Sequence, residues 1–343
     1  EIKFPPQDVL QLKSYYLSSS VHVDSIDYLI GYNYRLHSLD CMNLKSKSVT
    51  QIVLPGDGPD AIVRLSGIYA QSLDSVWISD ESERAFLIDS VGTIKRMIDL
   101  KKYLEDQEQL LINTNYAMFT SHLFYNASRH SLMFLVKHTP SNTFIVKEAF
   151  IDEVGKMATY QLSSSKIVPD MSKGYAYINF PNVNFVGENI VYNYPVESSI
   201  YMLDIRTNER KYILADSHYT SNIIEKCTTS GDYATLEKHW LENSHFYDIM
   251  YLPKYKIYAR LHADKVDFDE KKGMEKLINE RDLYLMLFDE NMEKIGETKL
   301  SNCRYSPFTS WNATYGGIAL FVDNVLDEKN NTDDLTIDII SLK

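Results

Sequence analysis

Leu87-Ile88-Asp89-Ser90-Val91-Gly92-Thr93-Ile94-Lys95-Arg96-Met97-Ile98-Asp99-Leu100 is the stretch whose reading decides the fold. Two apolar residues close a strand. Asp89 opens a tight turn by bonding its own backbone two residues on, and a second strand returns antiparallel. The same pattern stands at Ser38-Leu39-Asp40 before Val49–Leu54, and at Phe150-Ile151-Asp152 before Lys156–Leu162. It returns at Met202-Leu203-Asp204 before Arg210–Leu214, and at Leu287-Phe288-Asp289 before Lys294–Leu300. Self-similarity on this scale marks a solenoid or a propeller.

Upstream of the quoted stretch lie Leu65–Ala70 and Ser75–Ser79, so this repeat reads as a four-stranded meander. Radial repetition of such meanders leaves only short, protected sheet edges. The expected fold is all-β: a six-bladed β-propeller of four-stranded antiparallel blades, with seven blades as the alternative. The blades are placed at residues 20–54, 66–100, 120–162, 178–214, 246–300 and 308–343, forming one domain over 1–343. Loop insertions are expected at about 101–117, 216–245 and 262–281, and the first of the two later ones is where a seventh blade would hide. Lys101–Ile112, Tyr233–Asn243 and Glu270–Asn279 read as helical. The sixth repeat lacks its outermost strand after Gly317–Asp323 and Leu335–Leu342. The apolar Val9–Tyr16 is expected to fill that slot and close the ring.

Composition fits this architecture and excludes others. The chain holds 25 Tyr among 343 residues, and aromatic side chains suit a pleated, half-buried surface. A net charge of −12 with no basic cluster repels a phosphate backbone, so nucleic acid is excluded as a partner. No apolar run is long enough to span a membrane. Cys41, Cys227 and Cys303 are odd in number and fit no disulfide or Cys-x-x-Cys framework. The chain starts at Glu1, which suggests a trimmed signal peptide or lipoprotein leader.

The anchors Leu39-Asp40, Ile88-Asp89, Leu203-Asp204 and Phe288-Asp289 carry a family likeness. The opening Glu1-Ile2-Lys3-Phe4-Pro5 and the loop Leu54-Pro55-Gly56-Asp57-Gly58-Pro59 add to it. On these residues the chain resembles the six-bladed propeller lipoproteins of gut Bacteroidetes-type bacteria, a domain-of-unknown-function family. The resemblance covers nearly the whole chain. It implies a secreted protein of the cell envelope, in the periplasm or at the outer-membrane surface, with a lipid anchor on the removed leader. Some relatives have been labelled sialidases by fold analogy, which is a weak warrant for function.

No catalytic motif is matched. Sialidase chemistry needs an arginine cluster and a Tyr nucleophile with an acid partner. Arg64, Arg129 and Arg304 lie near inner strands, but the Ser-x-Asp-x-Gly-x-x-Trp box is absent. Propellers of gluconolactonase type hold a divalent cation with carboxylates and an Asn. Asn184, Asp248 and Asn312 supply those residue types, although no spacing singles them out. The acidic run Asp327–Asp334 lacks the Gly and alternation of a calcium loop. His239 and His245 are six apart, which is wrong for zinc on a helix. No metal and no cofactor is therefore expected.

Tyr and Asn richness is the one compositional hint of a ligand, as in Tyr175–Asn182 and Tyr305–Asn312. The function expected is a non-catalytic, monomeric binding or scaffold propeller that takes a glycan or a protein ligand at its axial mouth. A glycan-processing glycoside hydrolase of sialidase-like type is the alternative. Ligands of propellers meet the innermost strands and their loops. The residues entering those strands, Arg64, His122, Asn184, His245, Arg304 and Trp311, are the candidate ligand-binding set.

Overall fold

The computed structural model describes residues 1–5, 12–112, 119–153, 155–168, 175, 179–227, 232–309, 311–329 and 334–342. Within them the chain forms six antiparallel sheets arranged as the blades of a propeller. After β1 (Ile2–Phe4), blade one comprises β2 (Ser18–Val23), β3 (Ile26–Asn33), β4 (Ser38–Asn43) and β5 (Val49–Val53). Blade two comprises β6 (Leu65–Ser72), β7 (Ser75–Asp80), β8 (Arg84–Ile88) and β9 (Ile94–Asp99). Blade three holds β10 (Glu108–Leu110), β11 (Phe124–Asn126), β12 (Ser131–His138), β13 (Thr143–Phe150) and β14 (Met157–Gln161). Blade four holds β15 (Asn182–Val186), β16 (Asn189–Asn193), β17 (Ile200–Asp204) and β18 (Arg210–Ile213). Helix α1 (Tyr233–Leu241) precedes blade five, which comprises β19 (His245–Leu252), β20 (Ile257–Ala263), β21 (Leu283–Phe288) and β22 (Lys294–Lys299), with α2 (Met274–Asn279) between β20 and β21. Blade six comprises β23 (Trp311–Ala313), β24 (Ile318–Phe321) and β25 (Leu335–Ile340).

The ring closes with an N-terminal strand, but not the expected one. β1 pairs antiparallel with β25, Ile2 opposite Ile337 and Phe4 opposite Leu335. Of Val9–Tyr16, residues 9–11 lie outside the described residues, and 12–16 form no strand. Tyr15 instead buries its ring between blades six and one and donates its hydroxyl to Asp40 at 2.6 Å. Three residues suffice for closure because β25 offers an unpaired edge, and pairing it removes a template for aggregation.

The turn mechanism holds at three anchors. Asp89 Oδ1 accepts from the backbone N–H of Val91 and Thr93, at 3.1 and 2.8 Å. Asp204 and Asp289 do the same for the residues after them. Gly92 has φ +85°, and a Cβ there would lie 2.4 Å from the Val53 carbonyl oxygen, so only glycine fits this turn. Asp40 departs from the pattern. It sits inside β4, fully buried, and accepts from Tyr15, Asn33 and Gln51. Asn43 does the turning in blade one, its side chain accepting from Lys45 and Ser46 N–H.

Two other expectations are corrected. Lys101–Ile112 is not a helix: a 3-10 turn at Leu100–Tyr103 is followed by β10. β11 covers only Ser131–Met133 of the eight-residue β12, and β10 pairs with the vacant end at Val136–His138. Unpaired backbone groups at that end drew the segment into extended form. The insertion after blade four carries α1 and no seventh blade among the described residues.

Strand alternation explains the core. Val76 and Ile78 point from β7 toward blade one, while Trp77 between them points toward blade three. Every neighbouring pair of blades has such an apolar cluster between its faces. Each fully buried large side chain contributes about 1.5–3 kcal/mol, which is what holds the blades edge to axis.

Candidate functional site

The innermost strands of all six blades meet around a cavity of about 300 Å3. Ser18–Ser20, Tyr69, Phe124, Val186, Tyr251 and Asn312 are among its walls, one contribution from each blade. Polar side chains stitch neighbouring blades around it. Ser20 Oγ donates to the Ala313 carbonyl at 2.6 Å, and Asn312 Nδ2 donates to Ser18 Oγ at 2.7 Å, joining blades six and one. Ser19 Oγ accepts from Ala70 N–H, joining blades one and two. Asn184 Nδ2 donates to the Ile249 carbonyl at 3.0 Å, joining blades four and five.

The chemical centre of the cavity is Asp248. Its carboxylate is buried and accepts from two lining side chains, His122 Nε2 at 2.9 Å and Trp311 Nε1 at 3.2 Å. Those residues come from blades three and six, so three non-sequential segments converge on one carboxylate. Asp248 points here because β19 carries a β-bulge between Phe246 and Ile249. One extra residue in a strand re-aims the side chains around it, and bulges of this kind favour functional sites. His122 is fixed by its backbone: its N–H donates to the Val183 carbonyl, beside the Ser121–Val183 bridge that links blades three and four.

A carboxylate only accepts hydrogen bonds, so Nε2 carries a proton, and in the neutral imidazole Nδ1 is then the nitrogen with the lone pair. Among the described residues no group bonds Nδ1. The imidazole keeps 21% of its surface exposed, all the access a ligand atom needs. Burial raises the pKa of the Tyr69 and Tyr251 hydroxyls further above the ordinary tyrosine value.

Of the six candidates, His122, Asn184 and Trp311 line this cavity and Arg64, His245 and Arg304 do not. Arg64 is exposed, 3.6 Å from Glu81 and near the Tyr16 ring. Arg304 ties the ring seam: it donates to Asp338 at 2.5 Å and to Glu1 at 2.8 Å, and also pairs with Asp327. Arg129 forms a two-pronged pair with Glu148. Arginines leading into strands find carboxylates on their own or neighbouring blades, which is why none of these three reaches the axis. His245 is fully buried at the start of β19, where its Nδ1 accepts from Trp240 Nε1. Burial, then the nearby Arg281, pushes its pKa well below the usual histidine value.

Asn184, Asp248 and Asn312, which spacing could not single out, all line the cavity. The signal for Asp248 was a lone carboxylate inside the apolar run Phe246-Tyr247-Asp248-Ile249-Met250. In the stretch Tyr175–Asn182, residues 176–178 lie outside the described residues, as do Ser310 and residues 330–333 of the acidic run. Among the described residues no helix is long and apolar enough to cross a membrane.

Comparison with solved structures places this ring. A crystal structure of a DUF4221 family member from Bacteroides vulgatus superposes with a TM-score of 0.77 at 14% identity, covering 99% of this chain and 97% of that one. A protein from Bacteroides fragilis whose name marks it as a candidate for export matches with a TM-score of 0.55 at 13% identity, covering 99% of this chain and 94% of that one. At these identities the likeness shows the fold alone. No curated protein sequence matches the chain. Residues 6–299 match the domain-of-unknown-function family DUF4221, and the chain, a six-bladed propeller, belongs to that family.

Proposed function

We propose that this protein is a binding propeller of the cell envelope that holds a small, uncharged, hydroxyl-rich ligand, a sugar or short glycan, in its axial cavity. The observation that carries this reading is the convergence of His122, Asp248 and Trp311 from three blades on one cavity. Its volume of about 300 Å3 lies at the small end of ligand sites, which run from ~300 to 1,000 Å3. Tyr69, Phe124, Tyr251 and Trp311 make the wall aromatic, with amide and hydroxyl groups among them, a mix that suits a sugar. Among the described lining residues none is Arg or Lys, and the one carboxylate is Asp248. An acidic sugar would meet no cation there, which speaks against the sialidase-like alternative. The envelope placement is supported by the Bacteroides fragilis relative.

Saturation-transfer NMR with glucose, galactose, mannose, xylose, N-acetylglucosamine and sialic acid tests the reading. At least one neutral sugar is expected to bind, and His122→Ala is expected to weaken it about tenfold, the loss of one good hydrogen bond. Preference for sialic acid, or binding that ignores His122→Ala, would overturn it.

A further inference from the structure

We infer that the His122–Asp248 pair is a general-base dyad, so that the cavity hydrolyses a short acyl ester of an uncharged hydroxylated compound such as an O-acetylated sugar. This rests on the cavity being the ligand site. The geometry contains the parts that acyl transfer to water requires. His122 offers the Nδ1 lone pair to the cavity, with Nε2–H held by Asp248. Asp248 is itself held by Trp311 Nε1–H, so the base is oriented by a third group whose own orientation is fixed. That is the logic of a serine-protease dyad with the two ring nitrogens exchanged. Asn184 and Asn312 each use one amide N–H, toward Ile249 O and Ser18 Oγ. An amide NH2 has two donors. Each therefore keeps a second N–H with no partner among the described residues, on the wall of the same cavity. Donors of this kind stabilise an oxyanion.

The step balances with water as the co-reactant. A water beside Nδ1 gives its proton to that nitrogen as its oxygen bonds to the acyl carbon. The carbonyl π pair moves onto oxygen, which the asparagine N–H groups receive. Collapse restores the carbonyl and breaks the bond to the sugar oxygen. That oxygen takes the proton from Nδ1, and the products are a carboxylic acid and the free sugar hydroxyl. A purely structural His–Asp bond would need neither the exposed imidazole nor the free nitrogen.

The test measures hydrolysis of p-nitrophenyl acetate and glucose pentaacetate by the full chain, beside sugar binding by saturation-transfer NMR. Turnover is expected in the wild type, with kcat lowered about 100-fold or more in His122→Gln, the lower bound for loss of a positioned base. Asp248 acts through His122 as a positioning residue, so Asp248→Asn should lower kcat with little change in KM, and should move the His122 ring 15N signals away from a fixed Nε2–H tautomer. Thermal unfolding checks that both variants fold, and His122→Asn serves if His122→Gln does not. Sugar binding without turnover above the His122→Gln level overturns this inference and leaves the binding reading standing. Absence of both overturns both.

Discussion

One strand, β19, holds two opposite environments three residues apart. His245 at its start is sealed, neutral and bonded to Trp240. Asp248, within the bulge, faces the axial cavity and meets His122, a histidine with an open nitrogen. Both histidines lead into innermost strands, but His245 bonds an indole, Trp240, whereas His122 bonds the carboxylate of Asp248. What separates them is access and an anionic partner. A buried histidine without a carboxylate is driven neutral and becomes packing; an accessible one held by a carboxylate keeps a defined tautomer and a reactive face.

The sealed end should yield the largest stability effects. Arg281 is buried beside His245 and donates to the Asp264 carbonyl after β20 and to the Trp240 and Asn243 carbonyls at the C-terminal end of α1. Arg281→Met leaves those carbonyls unpaired, and should cost about 3–5 kcal/mol in denaturant unfolding while any surviving folded protein binds sugar as before. Loss of sugar binding in folded Arg281→Met would break the separation of the two ends.

Arg304→Ala cuts the links among Glu1, Asp327 and Asp338 at the ring seam, and is expected to cost about 2 kcal/mol with no change at the cavity. Asp338 adds a pH signature. Burial alone would raise its pKa, but the Arg304 and Tyr305 hydrogen bonds outweigh that and hold it below the ordinary 3.8. A lowered carboxylate pKa gives stability that is present above 3.8 and lost as pH falls through the folded value. The wild type should therefore lose more stability than Arg304→Ala on acidification below that point.

His245 gives a second, separate pH window. Its folded pKa lies well below the ordinary 6.5, so below pH 6.5 the unfolded chain takes up a proton that the folded chain refuses. Stability is present above 6.5 and falls with acidification, by up to about 1.4 kcal/mol per pH unit. His245→Phe should flatten that slope between pH 6.5 and 5. An unchanged slope would show that His245 is not sealed.

The smallest expected stability effect is at the open end. Trp311→Phe removes one donor to Asp248 and should cost only about 1–2 kcal/mol, yet reduce sugar binding, because Asp248 would no longer be locked.

The blade architecture was legible because turn chemistry and strand alternation are local. The outer strand after Asp89, read as Ile94–Leu100, is Ile94–Asp99 in the structure. What escaped was decided by tertiary pairing. β1 is three residues long and carries no periodicity of its own, so the longer apolar Val9–Tyr16 looked the better closure. Lys101–Ile112 was claimed by the free edge of β12. Of the residues leading into inner strands, His122, Asn184 and Trp311 line the axial cavity. Arg64 and Arg304 shared the position but were taken by carboxylates on the surface and at the seam. Asp248 is named in the sequence only as a residue type suited to a cation and not among the ligand-binding set, because a bulge, not the alternation of a regular strand, sets its direction.

The most direct test of the account is a titration of the full chain with a neutral sugar, followed through the ring 15N signals of its histidines and the indole N–H of Trp311. The His122 Nδ1 and Trp311 signals are expected to move together and saturate, while the His245 signals stay fixed. Movement at His245, or saturable sugar binding that leaves His122 and Trp311 unmoved, would contradict it.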